Sequence, residues 1–262
     1  MKRRTVGNVV NALHFHGRVF TTGAGRVVQD GPRIRFSLIG ATSRGYSDAQ
    51  IDDGPARSRR AYPWRPPLTL TVRARFSHPA SALRGTAGFG FWNDPFRMAG
   101  ARVPTLPRAV WFFYASPPAE MRLSVDVPGW GWKAMVLDAL RPVALPLALT
   151  APVLVLLFQV RALYRALWPP IGRALGVREA LLPVEMARWH TYRLEWGLRE
   201  TRFWVDDEPV LTGALSPRGP LSFVMWMDNQ YLIATPQGRF RWGLLDVPEE
   251  QWMEVEGWEI VQ

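Results

Sequence analysis

Residues 68–76 read Leu-Thr-Leu-Thr-Val-Arg-Ala-Arg-Phe, an unbroken alternation that admits one backbone. That backbone is an extended strand with Leu, Val, Ala and Phe on one face and Thr and Arg on the other. Residues 33–40 largely follow the same period. Further strands are expected at 88–92, 109–115, 121–127, 190–196, 201–205, 221–228, 238–242 and 252–261, with turn-forming residues between most of them. Residues 48–65, containing Asp52-Asp53-Gly54-Pro55 and Arg57-Ser58-Arg59-Arg60, read as a loop. Many short strands without regularly alternating helices predict two packed sheets rather than a parallel α/β fold. All-β sandwiches of this size form one domain, so residues 1–262 are expected to be a single unit.

Residues 134–183 break the pattern. Positions 142–160 carry no charge, a run close to the ~20 residues of a membrane-spanning helix. Strand-forming sequence lies on both sides of that run, and a single pass would place the two parts of one sandwich on opposite sides of a bilayer. Pro146 and Pro152 would also interrupt a continuous helix. The expectation is an apolar helical insertion built from shorter helices near 133–145, 152–168 and 171–182. Its exposed apolar surface needs a partner: the protein body beneath a lid, a membrane surface flanked by Arg141, Arg161, Arg165 and Arg173, or a second copy in a homo-oligomer.

Composition narrows the functions. The formal charge is +10, from 32 basic and 22 acidic residues, and every basic residue except Lys2 and Lys133 is Arg. The arginines are scattered and no helix-turn-helix, zinc-finger or RNA-binding pattern accompanies them, so nucleic acid is not an expected partner. The absence of Cys excludes disulfides, thiolate metal sites and a cysteine nucleophile. His14 and His16 have a spacing that metals use, but only the distant His78 and His190 could complete a set, so no metal and no cofactor are expected. Met1-Lys2-Arg3-Arg4 has the charge of a signal n-region, yet Gly7, Asn8 and Asn11 interrupt the apolar segment that should follow. The chain is read as cytoplasmic, with the insertion offering peripheral attachment to a membrane.

The C-terminal half holds recognisable segments. Trp189-His190-Thr191-Tyr192-Arg193-Leu194-Glu195-Trp196, followed by Thr201-Arg202-Phe203-Trp204-Val205-Asp206-Asp207, resembles the paired strands of glycoside hydrolase family 16 and related concanavalin A-like lectins and glucanases. Thr86-Ala87-Gly88-Phe89-Gly90-Phe91-Trp92 is similar to that family's Ala-Phe-Trp strand, residues 69–75 to a framework strand, and residues 252–262 to the closing strand. Thr201 and Asp207 stand where the family has an apolar residue and Gly. The resemblance implies a mainly β, concanavalin A-like sandwich, or jelly roll, carrying the α-helical insertion. It does not extend to the chemistry. The family's next strand bears Glu-x-Asp-x-x-Glu, because retaining hydrolysis needs two carboxyls about 5 Å apart. Here residues 109–115, Ala-Val-Trp-Phe-Phe-Tyr-Ala, contain no carboxylate. Glu254, Glu256 and Glu259 lie in the closing strand, where Glu259 falls out of the alternation, and they read as a solvated face.

Alternation also proposes a lining for a concave groove. With Leu194, Trp196, Phe203 and Val205 inward, Arg193, Glu195, Arg202 and Trp204 face out; with Phe223, Met225 and Met227 inward, Ser222, Val224, Trp226 and Asp228 face out beside Asn229 and Gln230. Trp92, Asn93 and Asp94 are placed at the rim. The candidate ligand-binding set is Trp92, Asn93, Trp111, Phe113, Arg193, Trp204, Trp226 and Asn229, because indole faces stack on sugar rings while amides and charges fix hydroxyls. Three functions compete. The first is a non-hydrolytic protein binding a carbohydrate or partly apolar, glycolipid-like molecule. The second is an enzyme of diverged chemistry on a hydrophobic substrate, with Glu195, Asp228 or Asp94 as proton carriers. The third is an assembly protein using the insertion as interface. The same indoles would otherwise form a second core beneath the insertion.

Overall fold

The computed structural model describes residues 9–11, 17–54, 58–96 and 103–262; His14, His16 and the basic start of the chain lie outside these residues. The strands are β1 (Val9–Asn11), β2 (Arg18–Thr22), β3 (Gly25–Asp30), β4 (Arg33–Leu38), β5 (Asp48–Asp52), β6 (Leu68–Phe76), β7 (Thr86–Trp92), β8 (Arg108–Ala115) and β9 (Gly131–Asp138). Two helices follow, α1 (Ala144–Leu157) and α2 (Arg161–Ala174). The remaining strands are β10 (Arg178–Leu181), β11 (His190–Trp196), β12 (Glu200–Val205), β13 (Glu208–Leu215), β14 (Ser222–Asp228), β15 (Gln230–Ala234), β16 (Phe240–Leu244) and β17 (Gln251–Val261).

Two antiparallel sheets stack as a sandwich. The first has the order β13-β12-β11-β6-β17-β4-β3, with β1 pairing the end of β17; the second has the order β10-β9-β8-β7-β14-β5-β2. The strand β6 sits centrally in the first sheet, between β11 and β17, and buries Leu68, Leu70, Val72, Ala74 and Phe76 as its alternation demands. Between the sheets lies an aromatic core in which rings meet edge to face. Phe89 and Trp132 are 5.7 Å apart, Phe112 and Phe203 5.2 Å, and Trp132 and Tyr192 5.5 Å, the arrangement that ring quadrupoles favour. The Trp132 indole donates to the Tyr192 hydroxyl at 3.3 Å.

The departure of Glu259 from alternation has a local cause. A register irregularity between Val255 and Gly257 lets β17 bury Met253 and Val255 before it and Trp258 and Ile260 after it. Glu254 and Glu256 face out, where Arg35 and Arg75 pair with the first and Arg33 and Arg73 with the second.

The structure departs from several sequence expectations. Residues 48–65 begin with β5, all five residues of which are buried, rather than with a loop. Its acidic ends resemble a turn, but the carboxylates are held by hydrogen bonds. Residues 121–127 form no strand. The insertion is also shorter than 134–183: β9 and β10 pair with each other, with Val136 opposite Arg178, and belong to the second sheet. In β9 both faces are buried, so it shows no alternation and was legible only as an apolar run.

Two helices, not three, lie between β9 and β10. Pro146 falls in the first turn of α1, where an amide has no acceptor within the helix, and Pro152 is accommodated inside it; the break comes at residues 158–160. Among the described residues no helix is long and apolar enough to cross a membrane.

Candidate functional site

Strands β7, β8 and β14 of the second sheet are apolar on both faces. Their inner face supplies Phe89, Phe91, Phe112 and Phe223 to the core. The outer face carries Trp92, Trp111, Phe113 and Trp226. Trp111 on β8 and Trp226 on β14 are separated by β7, yet their ring centroids are 5.2 Å apart. Glycine makes this possible. Gly88 lies between Phe113 and Trp226, and Gly90 lies opposite Trp111, so neither position raises a side chain into the space the rings occupy. A Cβ at Gly88 would stand 2.2 Å from the carbonyl oxygen of Phe112 and 3.0 Å from the Trp226 ring. Trp92 completes the row, 6.0 Å from Trp111, and Phe113 stacks on Trp111 at 5.2 Å.

Beside the aromatic row the same face turns polar. On β5 the alternation places Asp48, Gln50 and Asp52 outward, and Asp228 of β14 lies directly opposite Asp48. Asp228 accepts from the Thr86 hydroxyl at 2.8 Å and from the Gln230 amide at 3.0 Å, while the Trp226 indole donates to the Thr86 hydroxyl at 2.9 Å. Asp52 accepts from Gln50 Nε2 at 2.6 Å and pairs with Arg18 at 3.1 Å. Burial pushes the Asp228 carboxyl up to about 6, and burial together with the Asp228 charge pushes Asp48 up as well. The face thus joins an indole platform to carboxyls biased toward their neutral form.

This face is covered. Trp92 and Phe113 are each 7% exposed and Trp226 6%, so it is not an open groove. Met121 and Leu123, from the segment after β8, and Tyr231 of the β15–β16 hairpin pack against the rings. A buried ion pair pins that segment. Lys133 on β9 donates to Glu179 on β10 at 2.9 Å and to the Pro128 carbonyl, and Glu179 accepts from the Ser124 amide at 2.7 Å. The helices sit on the same segment and on the hairpin: the Trp168 indole donates to the Leu123 carbonyl at 2.8 Å, and Gln159 Nε2 to the Gln237 carbonyl at 3.0 Å. Even so, the indole N–H groups of Trp92 and Trp111 have no acceptor among the described residues.

The structure divides the sequence-based candidates. Trp92, Trp111, Phe113 and Trp226 share one outer face, with Asp228 at its polar end. Arg193, Glu195 and Trp204 do face outward, but β11 and β12 belong to the first sheet, so these residues lie on the opposite side of the sandwich. There Arg193 stacks on Trp204 with its guanidinium 4.5 Å from the ring centre. Glu195 and Asp228 therefore do not form an acid/base pair. Alternation gives the direction of a side chain relative to its own sheet and cannot say which sheet that is.

The amides have structural partners. Asn229 Oδ1 accepts from the Ser47 amide at 2.9 Å, and its Nδ2 donates to the carbonyls of Thr42, Gly45 and Leu245. Asn93 bridges the Leu106 carbonyl and the Arg108 amide. Asp94 is buried after β7 at φ 46°. His190 is held by Asp206 at 2.5 Å and the Glu185 carbonyl at 3.0 Å. Sequence reasoning missed Asp48, Gln50 and Asp52. Their polar-apolar-polar-apolar-polar spacing was present but was outweighed by the turn-like residues that follow.

No protein-family model matches the sequence, and no curated protein matches it. Among solved structures, a Bacillus licheniformis β-glucanase superposes with a TM-score of 0.51 at 10% identity, over 98% of this chain and 100% of the other. An apo Crh5 transglycosylase gives 0.51 at 10% identity, over 98% of this chain and 85% of the other, and the same enzyme in complex with NAG gives 0.50 at 11% over the same shares. At such identities the likeness concerns architecture alone: the chain has the jelly-roll fold of the β-glucanases.

Proposed function

We propose that this chain is a binding protein whose outer face on the second sheet takes a carbohydrate or partly apolar, glycolipid-like ligand. One observation carries the reading. Trp92 and Trp111 lie side by side with both indole N–H donors unpartnered among the described residues, on the same face as the polar side chains of β5, which lies across β14 and could fix hydroxyls. The Crh5 complex with NAG on the same fold supports the carbohydrate class. The helices, the segment after β8 and the β15–β16 hairpin act as a movable cover. The exposed Leu149, Val153 and Leu156 of α1 offer a membrane as the source of a glycolipid. The test is a glycan array followed by tryptophan-fluorescence titration of any ligand found. Binding that survives both Trp111→Ala and Trp226→Ala would sink the proposal, as would the absence of binding to glycans and to glycolipid vesicles.

A second reading rests on the directly opposed Asp48 and Asp228. Cross-strand neighbours place Cβ atoms about 4.5–5.5 Å apart, close enough for one carboxyl to act as the ionised nucleophile and the other as the protonated acid of glycoside hydrolysis. Release of reducing ends from a glucan, abolished by Asp48→Asn and Asp228→Asn, would favour hydrolysis over simple binding.

A further inference from the structure

A cavity of about 280 Å³ opens where the α1–α2 junction meets the segment after β8 and the turn of the β15–β16 hairpin. Arg122, Arg161, Arg165, Tyr164, Gln159 and Gln237 line it, and no carboxylate does. Arg161 and Arg165 make no ion pair with any described residue, and Arg122 has only Glu120, at 3.8 Å, which Arg239 already holds at 2.7 Å.

The backbone adds to this positive character. Arg161 begins α2, a helix of 14 residues with no side-chain cap and no acidic residue in its first turn. A helix start leaves amide N–H groups without helical acceptors and carries a partial positive charge, here uncompensated.

The second, independent observation is Tyr164. It is 6% exposed, it lines this cavity, and its hydroxyl has no hydrogen-bond partner among the described residues. A buried hydroxyl left unpaired is destabilising unless something fills the space before it. Phe158 at 5.7 Å and Trp168 at 6.3 Å hold the ring in place, so the hydroxyl has little freedom to turn elsewhere.

We infer that this cavity is a binding site for a phosphoryl group, held by Arg122, Arg161 and Arg165, the Tyr164 hydroxyl and the first amides of α2. Guanidinium forks match tetrahedral oxyanions, and the start of a helix is a ready anion site. The cavity takes more than the ion itself, so the phosphoryl group belongs either to a soluble ester or to a lipid headgroup reached along α1. The inference is independent of the aromatic face.

Isothermal titration with inorganic phosphate and co-sedimentation with phosphatidylcholine vesicles, with and without phosphatidic acid, test it on the full chain. Binding should be saturable, and Arg161→Gln and Arg165→Gln should each weaken it by about tenfold. Tyr164→Phe, which keeps the ring packing, should weaken it several-fold. Binding of free phosphate identifies a soluble ligand; binding only of vesicles containing phosphatidic acid identifies a lipid. Arg173→Gln/Arg178→Gln serves as the charge control. Failure to bind in both arms, or equal weakening by the control, would overturn the site.

Discussion

Replacing Asp228 with Asn separates the charge of the outer-face carboxyl from its shape. Burial moves this group from 3.8 to about 6, a rise of about two pH units. At about 1.4 kcal/mol per unit, ionisation within the folded chain costs about 3 kcal/mol more than in the unfolded chain. The sign follows from the raised value. The full stability is present below about pH 3.8, falls as the pH rises through about 6, and stays lower above it. Asparagine never ionises, and its oxygen can keep the Thr86 hydroxyl and the Gln230 amide. Only the contact from Gln230 Nε2, at 3.1 Å, requires that amide to turn over. Asp228→Asn should therefore be more stable than the parent at pH 8 by up to about 3 kcal/mol, with the advantage under about 1 kcal/mol near pH 4. Urea unfolding followed by tryptophan fluorescence at both pH values measures this. Comparing the two proteins at one pH also removes most of the repulsion of the +10 net charge from the difference, leaving only the one charge that the substitution deletes. A variant no more stable than the parent at pH 8, or an advantage independent of pH, would refute the assigned burial of charge.

Lys133→Met should destabilise the chain by about 3–5 kcal/mol by stranding Glu179, and adding Glu179→Leu should recover most of the loss in the same urea assay. Gly88→Ala forces a Cβ against the Phe112 carbonyl and should lower stability by at least about 1–3 kcal/mol. Gly257→Ala, which meets nothing within 4 Å, should stay within about 0.5 kcal/mol in thermal unfolding. Trp204→Ala, on the far side of the sandwich, should leave ligand-induced quenching unchanged, whereas Trp111→Ala should remove it in a fluorescence titration.

The first sheet was the more legible of the two. Its outer face meets solvent, so β6, β11 and β12 alternate cleanly and their bounds follow from sequence almost to the residue. The second sheet is covered on both sides, and the periodic signal fades there. Strand β9 read as helix, and β5 read as loop because its outward carboxylates mimic a turn. The aromatic half of the candidate site was visible as Trp92, Trp111, Phe113 and Trp226 on strands with assignable faces. Its polar half was not, since Asp48 meets Asp228 only through a pairing between segments some 180 residues apart. The buried pair Lys133–Glu179 was equally hidden, because each partner lay in a stretch read as helical.

The antiparallel pairing of β9 with β10 has a consequence for how such a protein can change. The chain leaves the sheet after Asp138 and re-enters at Arg178, beside its point of departure, so both helices hang on what is topologically a single hairpin turn. Closing a longer loop between fixed ends adds only about 0.6 kcal/mol per doubling of its length. That turn is a splice port. Foreign segments of very different size can be grafted there with little strain on the scaffold, and variation among chains of this architecture should concentrate in what is plugged into the port.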